Sequence, residues 1–228
     1  MPLWGLPFIG PSIFILIPAL LLAGYAQVKV RSTYSRYARV RTVSGMTASE
    51  VAGRILTAEG ITGLRIERAK GRLSDHYDPR SRVLRLSDPE SASVAAVGVA
   101  AHEAGHAIQH ARGYRPLALR TSVVPVASIG SQLALPLFFA GLVFQLEPLV
   151  TVGILAFSAA VLFTLITLPV EFNASRRAVA ALRSGELVSV EELGAVREVL
   201  SAAALTYVAA AAVAALQLLM LLSAGRRR

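Results

Sequence analysis

The chain contains no cysteine, which excludes a disulfide framework, a thiol nucleophile and a Cys-ligated zinc site. It is also poor in charge: 16% of its 228 residues are charged, against about 25% in an average soluble domain. Hydrophobic residues reach 54%. That balance argues against both an ordinary soluble globule and a disordered chain. Acidic residues are the scarcer sign, 14 against 23 Lys and Arg, for a net charge of +9. Aromatics are sparse at 7% and no nucleic-acid motif accompanies the basic residues, so the positive charge reads as membrane-surface contact and not as a nucleic-acid footprint.

Long runs without Asp, Glu, Lys, Arg or His are what the chain has instead. They cover residues 1–28, the segment between Arg120 and Glu147, that between Glu147 and Glu171, and that between Glu198 and Arg226. Each is long enough to cross a bilayer, which takes roughly 20 residues at about 1.5 Å rise. No Lys or Arg precedes the first run, and Lys29, Arg31, Arg36, Arg39 and Arg41 follow it. This order fits an uncleaved anchor with its N-terminus outside; a signal peptide is the alternative.

The segment from Lys29 to Arg120 carries 16 Lys and Arg, and Arg176, Arg177, Arg183 and Arg197 mark a second basic segment. The positive-inside rule puts both in the cytoplasm. Arg226, Arg227 and Arg228 disagree with a fourth full crossing. Either the rule fails there or the last apolar stretch does not fully span.

Residues 29–120 form the one sizeable polar segment. Thr47 and Glu50 read as a capping box opening a helix with Val51, Ile55 and Leu56 on one side, and Gly60 is a natural stop. Leu64–Ala69 and Arg82–Ser87 alternate apolar and polar residues as half-buried strands do, and are expected to pair antiparallel across turn chemistry at Ser74–Arg80. Asp88, Pro89 and Glu90 are expected to start a helix as N-cap, first position and first turn, ending near Gly113.

That helix carries His102-Glu103-Ala104-Gly105-His106, an H-E-x-x-H pattern. Residues i and i+4 lie about 40° apart around a helix and one turn apart along it. Two imidazoles so placed can converge on one ion at roughly 2.0–2.1 Å. Glu103, about 100° from His102, flanks the metal without ligating it and suits a general base for the activated water. Three titratable residues on an otherwise apolar helix need compensation. His110 lies eight residues beyond His102, a rise of about 12 Å, too far to share one ion with both histidines. It is expected on the surface or beside a ligand.

A catalytic zinc needs a third protein ligand and an open position. Glu171 is the best candidate, because it directly follows an apolar stretch and a carboxylate there needs a partner. Two apolar runs separate it from His106, so both return to the same side. Ser175, one turn beyond Glu171, is placed to hydrogen-bond a ligand imidazole. His76 or Tyr77 could stabilise an oxyanion; turn chemistry around Asp78-Pro79 explains the same residues without a catalytic role.

The blocks SGMTASEVAGRIL, GRLSDHYDPRSRVLRLS, VAAHEAGHAIQHARGY, LPVEFNASRRA and VLSAAALTYVAAA, in this order, resemble the bacterial neutral zinc metallopeptidases of the YugP type over nearly the whole chain. That family is similar to membrane gluzincins such as HtpX and the CAAX prenyl proteases, in which the Glu of E-x-x-A-D supplies the third ligand. The resemblance places Glu171 on that Glu and Ser175 on that Asp; the serine is a departure. It implies one zinc ion and peptidase activity.

The expectation is therefore a mainly α, multi-pass membrane bundle of about four transmembrane helices with a small α+β zincin-like cytoplasmic segment. Its parts are an anchor (1–28), the zincin-like segment (29–120), a transmembrane hairpin (121–170), a helical segment with the third ligand (171–200) and a C-terminal membrane helix (201–228). It would be a cell-membrane zinc endopeptidase acting on peptide or protein substrates, membrane proteins among them. Zinc would sit on His102, His106 and Glu171, with Glu103 as base and an extended peptide adding to the strand Arg82–Ser87. A metal-binding scaffold or sensor without turnover is the alternative. A transporter is disfavoured, because the apolar runs hold no ionisable residue.

Overall fold

The computed structural model describes residues 12–71 and 73–226. In chain order the elements are α1 (Ser12–Tyr37), α2 (Ala48–Ala58), β1 (Arg65–Arg68), β2 (His76–Asp78), β3 (Val83–Leu86), α3 (Val94–Ala111), α4 (Arg115–Val143), α5 (Glu147–Ser184) and α6 (Val190–Arg226). Two compact units share them. One contains Val28–Ala118 and Pro169–Leu205; the other contains Met1–Gln27, Leu119–Leu168 and Thr206–Arg228, so far as these are described.

The second unit is built from the apolar parts of the long helices. Among the described residues, three helices are long and apolar enough to cross a membrane: Arg115–Val143, Glu147–Ser184 and Val190–Arg226. The expected first span, residues 1–28, falls in part on residues 1–11, outside the described residues. Phe138 is fully buried among Ala134, Leu142, Val150, Phe157, Val161 and Leu221. A Cβ on Gly153 would stand 2.7 Å from the Phe138 nitrogen, so α4 and α5 pack there at a separation only a glycine permits. Leu133, Phe139, Leu155, Leu162 and Leu165 point outward, as lipid-facing side chains do.

The first unit has a conventional core. The Thr47–Glu50 capping box forms as expected, with the Glu50 amide donating to Thr47 Oγ1 at 3.2 Å and the Thr47 amide to Glu50 Oε2 at 2.8 Å. Val51, Ala52, Ile55 and Leu56 of α2 are buried against α3. Gly60 and Gly113 follow the ends of α2 and α3 with φ of +69° and +62°, the left-handed geometry that closes a helix.

The sheet differs from expectation. Its order is β1-β3-β2. β1 pairs with β3 in parallel, Arg65 opposite Val83. His76–Asp78, read as a turn, forms the strand β2, antiparallel to β3 with Tyr77 opposite Leu84. The intervening chain contains β2, which takes the antiparallel side of β3 and leaves β1 the parallel side. Val83 and Leu84 are completely buried, as a central strand requires. Because β3 has a partner on each edge, the expected addition of a peptide to Arg82–Ser87 cannot occur.

The start of α3 is also corrected. The N-cap is Ser93, whose Oγ accepts from the Ala96 amide at 3.2 Å; Asp88, Pro89 and Glu90 lie before the helix. Local sequence favours a cap at Asp88, but long-range bonds claim residues 89–92. The Pro89, Ser91 and Ala92 carbonyls accept from the Ser49, Ala48 and Thr42 amides at 3.0, 2.8 and 2.8 Å. That ties the segment to the start of α2 and holds Pro89 and Glu90 in a turn closed by the Ser91 amide on the Asp88 carbonyl at 3.2 Å.

Candidate metal centre

α3 is buried along nearly its whole length, including Glu103, His106 and Gln109. Residues from β3, α2, α5 and α6 share its core cluster. Its contact with α5 is set by Gly105 inside the H-E-x-x-H turn: a Cβ there would lie 2.5 Å from the Ala174 carbonyl oxygen. That close crossing brings the histidines to Glu171, one turn before Ser175 on α5.

His102 Nε2 lies 3.2 Å from Glu171 Oε2, and His106 Nε2 lies 3.6 Å from the same oxygen. The imidazoles stand edge to face, 4.8 Å between centroids. Ligand atoms of His102, His106 and Glu171 all fall within 4.8 Å of one another. Donors about 2.0–2.2 Å from a shared ion stand roughly 3–4 Å apart, as both imidazoles do from Glu171, so the three residues could hold a metal ion, and two imidazoles with a carboxylate are a donor set that suits zinc. The far side of each ring is held as well. His102 Nδ1 is 3.1 Å from Ser175 Oγ, and His106 Nδ1 is 3.0 Å from Gln109 Oε1. Both rings therefore turn their Nε2 atoms toward the carboxylate.

Glu171 is 3% exposed, a buried anionic oxygen facing two imidazoles, which calls for a cation. Burial alone would push the His106 pKa down. The neighbouring carboxylates of Glu171, 3.6 Å away, and Glu103 outweigh it, and the pKa is raised. The centre therefore favours positive charge. Glu103, 8% exposed, makes no hydrogen bond to another described residue, and its charge acts on His106.

The structure thus gathers His102, Glu103, His106, Glu171 and Ser175. His110 is exposed and lies 2.8 Å from the Tyr77 hydroxyl, outside the ligand group. His76 is exposed, donating from Nδ1 to the Ser74 carbonyl at 2.8 Å, with Arg85 Nη1 3.3 Å from its Nε2; it serves its own sheet. Gln109 and Asn173 were not anticipated. The signal was a glutamine three residues past His106 on an apolar helix, where a buried amide must find partners.

The family model described as "Putative neutral zinc metallopeptidase" matches residues 12–226. The chain is 47% identical to "Putative membrane protease YugP" of Bacillus subtilis (strain 168) over 209 residues, 91% of this chain and 93% of that protein. No solved structure matches. With the match spanning nearly every described residue, including the three metal-ligand candidates, the chain belongs to this neutral zinc metallopeptidase family.

Proposed function

We propose that the chain is a membrane-embedded zinc endopeptidase whose site opens to the cytoplasm. The observation that carries this reading is the convergence of His102, His106 and Glu171 within 4.8 Å, with the buried Glu103 carboxylate acting on His106 beside them. Two imidazoles and one carboxylate hold zinc while leaving a position for water. Zinc held by these residues would supply a lowered water pKa and polarisation of the scissile carbonyl.

The rest of the reaction belongs to the protein. Glu103 Oε takes the proton from the attacking water and gives it to the departing amide nitrogen. Ser175 and Gln109 hold the two rings in place. β2 supports substrate binding, since it is an outer strand of the sheet and its Tyr77 meets His110 of the metal helix. An extended peptide adding there has backbone hydrogen bonds available along it. The basic segments that hold α3 and the end of α5 support a cytoplasmic side.

The test is Glu103→Gln. It should keep stoichiometric zinc while cleavage of an unfolded protein substrate falls by at least about 10²-fold, the scale of a lost general base. Wild-type cleavage by this variant would remove the base assignment. Zinc-loaded wild type that cleaves no unfolded membrane or soluble substrate would favour a non-catalytic metal-binding protein.

A further inference from the structure

Gln109 is completely buried on α3, and its surroundings fix which end of the amide is which. Its nitrogen is 2.8 Å from the Val170 backbone carbonyl and 3.0 Å from Asn173 Oδ1. A carbonyl oxygen has no hydrogen to give, so the group facing Val170 must be the NH₂. Asn173 agrees, because Arg177 Nε donates to the same Oδ1 at 2.8 Å. Arginine cannot accept, so an oxygen must face it. The guanidinium stands 6.0 Å from the Tyr114 ring centre, which helps to hold it.

With both N–H groups of Gln109 committed to α5, its oxygen faces His106 Nδ1 at 3.0 Å. An amide oxygen only accepts, so Nδ1 carries the hydrogen. A neutral imidazole has one N–H, and Nε2 is then bare. This is the atom 3.6 Å from Glu171 Oε2. In the neutral ring, the form that binds a metal, these two atoms present lone pairs to each other across that distance, a gap that a cation fills. At His102 the Nδ1 partner is the Ser175 hydroxyl, which can donate or accept, so nothing on that side of the ring fixes the tautomer, and its Nε2 can give up a hydrogen to Glu171 Oε2 3.2 Å away when a metal enters.

We infer that Gln109 is a positioning residue, held by Val170, Asn173 and Arg177, that locks His106 in its Nδ1–H tautomer and so presents a bare Nε2 to the metal. The inference rests on the zinc reading above. It assigns the two histidines unequal roles: His106 is preset, and His102 adapts.

The experiment measures zinc affinity of the full chain in detergent by chelator competition, for wild type, Gln109→Met and Gln109→Glu, with the visible spectrum of the cobalt-loaded forms alongside. Loss of a partner that orients a ligand histidine typically costs 10–100-fold in affinity. Gln109→Met, similar in size but without an acceptor, should lose about that much and show an altered cobalt spectrum. Gln109→Glu, which keeps an acceptor toward Nδ1 but gives up the donations to Val170 and Asn173, should lose clearly less than Gln109→Met and keep the wild-type cobalt spectrum.

Equal affinity for Gln109→Met and wild type overturns the inference and leaves the zinc reading standing. Equal loss in both variants also overturns it, since packing would then be the role. Wild type that binds no zinc removes the underlying reading instead. Nitrogen-15 NMR of zinc-loaded wild type gives a test independent of any variant: the hydrogen of His106 should be on Nδ1, and finding it on Nε2 refutes the lock.

Discussion

Replacing Gly105 by alanine sets two known effects against each other. In an exposed helix interior, Gly→Ala gains about 1 kcal/mol from helix propensity. At Gly105 the new Cβ would lie 2.5 Å from the Ala174 carbonyl oxygen, 3.1 Å from its carbon and 3.3 Å from its Cα. All three atoms are backbone, so no rotamer change relieves the clash. Ordinary contact begins near 3.5 Å, so α3 and α5 must part by roughly 1 Å.

Overpacking of this kind costs about 1–3 kcal/mol, which leaves a net loss of up to about 2 kcal/mol after the propensity gain. At about 2–4 °C per kcal/mol for a chain of this length, the melting temperature should fall by up to ~8 °C. The metal centre should suffer more. His102 and His106 stand 3.2 and 3.6 Å from Glu171 across the same crossing, and metal sites tolerate only about 0.2 Å of ligand error.

Gly53→Ala is the control. Its nearest neighbour would be Ile66 Cδ1 at 4.0 Å, so it should stabilise by roughly 0.5–1 kcal/mol and leave zinc binding unchanged. Thermal unfolding in detergent and bound-zinc analysis read both. If Gly105→Ala gains stability as Gly53→Ala does and keeps its zinc, the close α3–α5 crossing is wrong.

Two further outcomes follow from single residues. Ser93→Ala should cost about 1 kcal/mol as loss of the α3 N-cap, whereas Asp88→Ala should stay within about 0.5 kcal/mol; thermal unfolding reads both, and the reverse order would restore the cap to Asp88. The folded pKa of His106 is raised above the ordinary 6.5, so protonation stabilises the metal-free fold. That contribution is complete below the unfolded value of about 6.5 and is lost as pH rises through the folded value. Zinc requires the unprotonated ring, so the zinc-induced rise in melting temperature should grow with pH across that window. A pH-independent rise would contradict the placement of His106.

Local physics made part of this structure legible. The pair His102 and His106 needs only helical spacing, and Glu171 needed only the unfavourable burial of a carboxylate beside an apolar run. The Thr47–Glu50 cap is equally local and formed as read. What misled was local grammar overruled at long range. Asp88-Pro89-Glu90 satisfies the rules for a helix start, but the amides of Thr42, Ala48 and Ser49 claim the carbonyls of that stretch. Parallel pairing of β1 with β3 depends on β2 taking the other edge, which neither strand's own alternation encodes. Gln109 was in plain view, yet its role depends on Val170 and Asn173, more than sixty positions away.

X-ray absorption at the zinc edge on the purified full chain bears most directly on the central claim. The account predicts one zinc per chain, with two imidazole nitrogens at about 2.0–2.1 Å and carboxylate oxygen at about 2.0–2.2 Å, and loss of the signal in Glu171→Ala. A zinc shell unchanged by Glu171→Ala, or no bound zinc in the wild type, would contradict it.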